Sequence, residues 1–249
     1  MTARVVAGAP NEARYGFSQA VARGGAVAVA GQVGKDNRTG EMVDARDLDV
    51  QLGRAVANVR DAAGRAQADA VLALTAHVTG PLAEALPSLE RALAGGPVPA
   101  LTAIRVAALA HPTYLAELSA TAGTRPGRTM QRLEATAATA VPWAPAATIS
   151  GDDVHVSACH GHGDDPGAAL AAALASLEEV LGRAGCGLAD VLGEHVYVVG
   201  PVGADGFAAI CDAHAAAYAG GAPASTLVLV DELVGGARVA VTATARREA

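Results

Sequence analysis

The chain has 249 residues and a formal net charge of −7, and it is 51% hydrophobic but only 3% aromatic. That length supports one large or two small domains with ordinary cores, and scattered Lys and Arg residues without a basic stripe exclude an electrostatic footprint for nucleic acid. No apolar run reaches membrane-spanning length and the N-terminal stretch lacks a signal peptide's apolar segment, so a cytoplasmic protein with a small-molecule partner and no membrane partner is expected.

In chain order, "AVAVAGQVG" (26 to 34) reads as a strand ended by glycine, and "KDNRTGEMVDA" as a polar loop rich in turn formers. Leu48, Leu52, Val56 and Val59 then recur at helical spacing. "DAVLALTAHVTG" predicts a second strand and "PLAEALPSLERALAGG" a second helix. "PALTAIRVAAL" and "TYLAELSATA" predict two closing strands. The same order returns from "DDVHVSACHG" through helix "PGAALAAALASLEEVLGRAG", strand "ADVLGEHVYVVG" and helix "DGFAAICDAHAAAYAGG" to strands "PASTLVLVDEL" and "ARVAVTATARR". Each copy is β-α-β-α-β-β with a β-hairpin expected before it. The expected fold is α+β: lobe 1 over residues 1–123, a connection over 124–140 and lobe 2 over 141–249, each lobe a mixed sheet with two helices packed on one face.

"YGFSQAV" (15 to 21), "AGQVGKDNRTGEMV" (30 to 43) and "QLGRAVANV" (51 to 59), together with "LEEVLGRAGCGLADVLGEHVYVVG" and "GFAAICDAHAAAY" in the second copy, resemble the RidA/YjgF family. The resemblance implies a chorismate-mutase-like fold, trimers, and hydrolysis of reactive enamines and imines to ketones and ammonia, with no cofactor and no metal. It further implies a ligand cleft between lobes, lined by Phe17, Gly31, Gln32 and, less closely matched, Trp143, with Glu117 as the general acid/base; Ala240 stands at the Glu117 position of the second copy. An arginine that grips the substrate carboxylate in the family is replaced by Leu101 and by Ser225. Arg105, four residues beyond Leu101 on the same strand face, is the alternative anchor, or a solvent-facing arginine.

The family's Ser-Gly-Gln strand end becomes Ser157-Ala158-Cys159 in lobe 2, followed by His160 and His162. Strict alternation puts His155, Ser157 and Cys159 on one face, and Val154, Val156 and Ala158 on the other, under the helices. Four readings stand open: cleft-lining groups, a solvated turn with a buried thiol, a Cys159 nucleophile served by His160 or His162 folding back in a turn, and a metal clip. His155 is about 13 Å along the strand from Cys159, too far for a direct hydrogen bond. "CHGH" offers at most three metal ligands from one loop. Three cysteines without CxxC spacing argue against disulfides and a cysteine-rich zinc site. Cys211 is either cleft-lining or core, and His214 and Tyr218 extend a helical stripe with Phe207 and Cys211.

Together these features predict a divergent enzyme acting on an imine, enamine or related carbonyl intermediate, by hydrolytic deamination or by tautomerisation or cyclisation. The alternative is a catalytically silent binding or scaffold protein. Closing three-lobed rings with two-lobed chains predicts a homotrimer, with a dimer second.

Overall fold

The computed structural model describes residues 2–8, 10–123, 130–137, 139 and 141–248. The chain divides into two compact units, Met1–Pro99 with Val106–Arg128, and Ala100–Arg105 with Thr129–Ala249. The elements in order are β1 (Thr2–Val5), α1 (Pro10–Tyr15), β2 (Ala20–Arg23), β3 (Ala26–Val33), α2 (Leu48–Arg65), β4 (Ala70–Val78), α3 (Leu82–Leu93), β5 (Ala100–Arg105) and β6 (Ala116–Gly123). They continue with β7 (Met130–Leu133), β8 (Ala147–Ser150), β9 (Asp153–Gly161), α4 (Pro166–Arg183), β10 (Val191–Val199), α5 (Ala204–Ala217), β11 (Ala224–Val230), β12 (Glu232–Leu233) and β13 (Val239–Arg246).

In the first unit the strands run in the order β1-β2-β3-β6-β4. Long helix α2 lies against β3, β6 and β4 and carries α3 on its flank. It starts where the Asp47 carboxylate accepts the Val50 N–H, an N-cap. Leu52, Ala55, Val56, Val59, Ala62 and Ala63 form its buried face. Burying these side chains supplies most of the drive to dock the helix, since an isolated helix of this length is marginal. Two polar residues share that buried face, Gln51 and Asn58.

The second unit holds the order β11-β10-β13-β9-β8-β7, and β5 pairs antiparallel with β12. Asp165 caps α4 by accepting the Gly167 N–H, with Pro166 at the first helical position, where its missing N–H costs nothing. Leu170, Leu174, Leu177 and Leu181 on α4 fill the core with Val196 and Val198 of β10 and Val239 and Val241 of β13. Helix α5 closes on α4 through glycine: a Cβ at Gly167 would lie 2.8 Å from the Ala209 side chain.

The alternating helices and strands of both copies, the α+β class and the tandem repeat agree with the sequence reading. Of the expected connection, residues 124–129, 138 and 140 lie outside the described residues, whereas Met130–Leu133 within it form β7, paired with β8.

One device recurs in both sheets. In β3, Val29 pairs with Ala120 and Gln32 with Leu118, so two residues, Ala30 and Gly31, stand opposite Ser119 alone. In β9, Val156 pairs with Ala243 and Cys159 with Val241, so Ser157 and Ala158 stand opposite Thr242. Each is a β-bulge, which shifts the facing of every later residue in the strand by one.

Candidate active site

The first unit contains a cleft of about 370 Å³ lined by residues of that unit alone, among them Tyr15, Phe17, Gly31, Lys35, Tyr114 and Glu117. Beyond the bulge, Val33 pairs with Glu117, and both face the cleft. The β6 strand is central, between β3 and β4, so Glu117 is not an edge residue. Its carboxylate lies over Gly31. A Cβ added at Gly31 would overlap Glu117 Oε1 and come within 2.7 Å of the carboxyl carbon. Glycine is therefore what admits the carboxylate to this position.

A chain of amides forms part of the cleft wall through Glu12, Gln19 and Asn37. Gln32 Nε2 donates to Gln19 Oε1 at 2.7 Å, Asn37 Nδ2 donates to Gln32 Oε1 at 2.8 Å, and Gln19 Nε2 donates to Glu12 Oε1 at 2.6 Å. Glu12 also accepts the Ala7 and Gly8 N–H groups, both at 2.8 Å. Burial pushes its carboxyl pKa up, but the Ala7 N–H, Gln19 and the Gly8 N–H outweigh that, so the group sits below its ordinary range.

The two buried amides of α2 hold the walls. Asn58 Nδ2 donates to the carbonyls of Val33 and Lys35 at 3.0 and 2.7 Å. Gln51 Nε2 donates to Thr113 O, and its Oε1 accepts the Leu115 N–H, both at 2.9 Å. Residues 33–35 and 113–115 are thus fixed from one helix, two turns apart. The Lys35 ammonium rests 4.8 Å from the centre of the Tyr114 ring, a cation–π contact.

Of the other expected site residues, Phe17 is 39% exposed at the rim and Gln32 is buried below it. Leu101 is buried in the second unit, where its N–H donates to Ser157 Oγ at 2.8 Å; Ser157 in turn donates to Pro145 O. Arg105 Nη1 stands 3.7 Å from Glu232 in that unit. Trp143 is half-buried in a turn, while His162 and Cys211 are exposed.

The facing expected for β9 requires correction. Cys159 is fully buried among Val154, Val156 and Val241, on the helix side, because the bulge at Ser157 and Ala158 breaks the strict alternation. Burial pushes its thiol pKa up to about 12, the Glu179 charge adding to this, which disfavours a thiolate nucleophile. His160 is 8% exposed and pairs with Ala240. Burial lowers its pKa to about 4, with His162 adding to the effect and the Ala158 backbone opposing it in part, while neither ring nitrogen meets hydrogen-bond geometry. Among the described residues, no three His, Cys, Asp or Glu side chains are placed to hold a metal ion.

A polar cluster, of which the sequence shows only the helical stripe through His214 and Tyr218, lies on the helix side of the second sheet. The buried Glu194 carboxylate accepts from His214 Nε2 at 2.6 Å, Tyr218 OH at 2.7 Å and Ser225 Oγ at 2.9 Å. His214 is in the last turn of α5 and Tyr218 is its C-cap residue, and Ser225 is in register with Glu194 across parallel strands β10 and β11. The serine at the expected anchor position is thereby tied to this cluster. The only sequence signal was the spacing of His214 and Tyr218; nothing near them pointed to Glu194.

The family model described as Endoribonuclease L-PSP matches the chain twice, over residues 8–124 and 135–247. Among solved structures, a Mycobacterium tuberculosis member of the YjgF/YER057c/UK114 family is 28% identical, covering 49% of this chain and 99% of its own, with a TM-score of 0.41. A YjgF family protein from Neisseria meningitidis is 20% identical, covering 49% of this chain and 97% of its own, with a TM-score of 0.41. A chorismatase matches over 92% of this chain and 77% of its own at 16% identity and a TM-score of 0.63, a likeness of fold spanning both repeats. A comparison with curated proteins gives no match.

Proposed function

The chain belongs to the Endoribonuclease L-PSP family, that of RidA and YjgF, with two tandem repeats, and on that footing we propose that its first unit is an enzyme acting on an imine, enamine or related carbonyl intermediate. The observation that carries this reading is the Glu117 carboxylate seated over Gly31 in a cleft rimmed by Phe17, Tyr15 and Tyr114. A carboxylate in an aromatic cleft suits proton transfer at a planar carbon–nitrogen centre. In hydrolysis of a protonated C=N group, Glu117 takes a proton from water as the oxygen adds to the carbon, passes it to the amine nitrogen of the carbinolamine, and then accepts the hydroxyl proton as the C–N bond breaks to give ketone and ammonia. With water kept out, the same base supports tautomerisation or cyclisation. The test is ammonia release from enzymatically generated imines. Acceleration over buffer that falls at least tenfold in Glu117→Gln supports the reading, and no acceleration with any carboxylated or neutral imine removes the deaminase form of it.

A second reading, a silent binding or scaffold protein, is favoured by the second unit. There Ala240 stands where Glu117 does in the first, in register with His160 rather than Val33. Ligand binding without turnover of any such substrate would select it. We also propose a homotrimer, with a dimer second: edge strand β11 exposes Leu229 at 53% and Leu227 at 36%, an apolar edge that calls for cover. Light scattering at the monomer mass would refute both assemblies. No helix among the described residues is long and apolar enough to cross a membrane.

A further inference from the structure

We infer that the Lys35 ammonium is the anion-binding group of the first unit's cleft, so that the ligand Glu117 serves also carries a carboxylate. This rests on the reading of that cleft as the active site. Four charged side chains line it: Glu12, Lys35, Asp36 and Glu117. Two are already satisfied. Glu12 accepts from Ala7, Gly8 and Gln19, and Asp36 accepts the N–H groups of Arg38 and Thr39 and lies 4.0 Å from Arg54.

The remaining two have opposite sign. Among the described residues, Lys35 makes no ion pair within 4.0 Å and Glu117 makes none either, although both face the same space. Lys35 is held instead by the Tyr114 ring, which stabilises the cation without neutralising it. The backbone on both sides of this contact is fixed by Asn58 and Gln51, so the ammonium sits on a preorganised seat. An ammonium half-withdrawn from water and lacking a counter-ion attracts an anion more strongly than a solvated surface lysine does. Arg105, the alternative anchor, belongs to the other unit and stands beside the Glu232 carboxylate.

A cleft with one cation and one carboxylate that make no ion pair among the described residues, together with three aromatic rings, fits a small planar molecule with a carboxylate at one end and an electrophilic or protonated carbon–nitrogen group at the other. Lys35 sets specificity, and Glu117 handles protons.

The test uses the full-length protein and two probes of one shape, benzoate and neutral benzamide, with affinities measured by calorimetry. Lys35→Met is expected to weaken benzoate by roughly tenfold or more while leaving benzamide within about twofold, and Lys35→Arg is expected to retain most of the benzoate affinity. Glu117→Gln should not weaken benzoate. The proposal is overturned if wild type does not bind benzoate, if Lys35→Met binds it as tightly as wild type, or if both probes weaken equally. Because binding is read without turnover, absence of ammonia release would remove the deaminase reading and leave this result standing.

Discussion

Gln32 and Cys159 occupy the same place in the two repeats: each is the first paired residue past a two-residue bulge, facing Leu118 in one sheet and Val241 in the other. Both are turned inward, Gln32 into an amide chain and Cys159 into an apolar core. The residue after each faces the other way, and the repeats part company there. Val33 stands beside Glu117, whereas His160 stands beside Ala240. A shared bulge thus supports a carboxylate-bearing cleft in one unit, while the other unit has neither the glycine nor the carboxylate.

Gly31→Ala is expected to reduce turnover without unfolding the protein. Its backbone is not in the left-handed region, and the atom its Cβ meets is the end of the Glu117 side chain, which can swing aside. The cost should fall on catalysis, at least tenfold in kcat, with the melting temperature shifted by only a few degrees. Equal kcat in the two proteins would mean that the carboxylate's seat over Gly31 does not matter.

The three thiols should separate by reactivity. Cys211 is exposed, Cys186 is partly covered and has its pKa raised by burial and by Asp190, and Cys159 is fully buried with a pKa near 12. At pH 8 iodoacetamide should alkylate Cys211 first and reach Cys159 only on unfolding. Cys159→Ser should leave turnover intact while costing about 1–3 kcal/mol for a hydroxyl placed in an apolar core. Peptide mapping after timed alkylation reads the order, and early labelling of Cys159 would contradict its placement.

Much of this was legible in the sequence because periodicity is a summed signal. Leu48, Leu52, Val56 and Val59 announce α2, and the alternation of residues 70–78 announces β4. The second strand end was misread because a bulge adds one residue to a ladder and leaves no mark in hydropathy; "VSAC" alternates the same way with or without it. Gln51 and Asn58 could be matched as a pattern, but their task, holding two loops by backbone carbonyls, depends on partners as far as 64 residues away. Lys35 and Tyr114 are 79 positions apart in the sequence and meet only through the fold.

Acid should weaken the second unit between about pH 6.5 and pH 4. His160 has a folded pKa near 4 against 6.5 in the unfolded chain, because burial penalises its charged form. Between those values the unfolded state binds more protons, so stability rises with pH, is complete above about 6.5 and is lost progressively on acidification. At about 1.4 kcal/mol per decade of proton affinity, the loss from this residue is roughly 3 kcal/mol. Burial also lowers the pKa of His155, against the opposing charge of Asp153, and adds in the same direction. Urea titrations at pH 7 and pH 4.5 should show a smaller pH effect in His160→Gln than in wild type; parallel behaviour would place the titration elsewhere.

The Glu194 cluster should contribute stability rather than chemistry. Helix α5 has one fully buried residue, Ile210, with Ala213 and Ala217 packed against the core, so the hydrogen bonds of His214 and of the C-cap residue Tyr218 to the Glu194 carboxylate add to a thin apolar contact. Burial and that bond push the Tyr218 phenol pKa above its ordinary value, consistent with a hydroxyl that stays protonated and donating. Tyr218→Phe removes one donor and should cost about 1–2 kcal/mol. Glu194→Ala strands three donors, one of them the buried phenol, and should cost about 3 kcal/mol or more. Glu194→Gln keeps the shape but replaces one acceptor oxygen with an N–H donor, so the Tyr218 hydroxyl at Oε2 must turn from donating to accepting and the charge assistance to the cluster is lost; its cost should be below that of Glu194→Ala. Urea midpoints with unchanged m-values would report these losses. Amide exchange should show α5 opening more readily in Glu194→Ala while β9 and β13 keep their protection; turnover should survive in all three variants wherever the fold does.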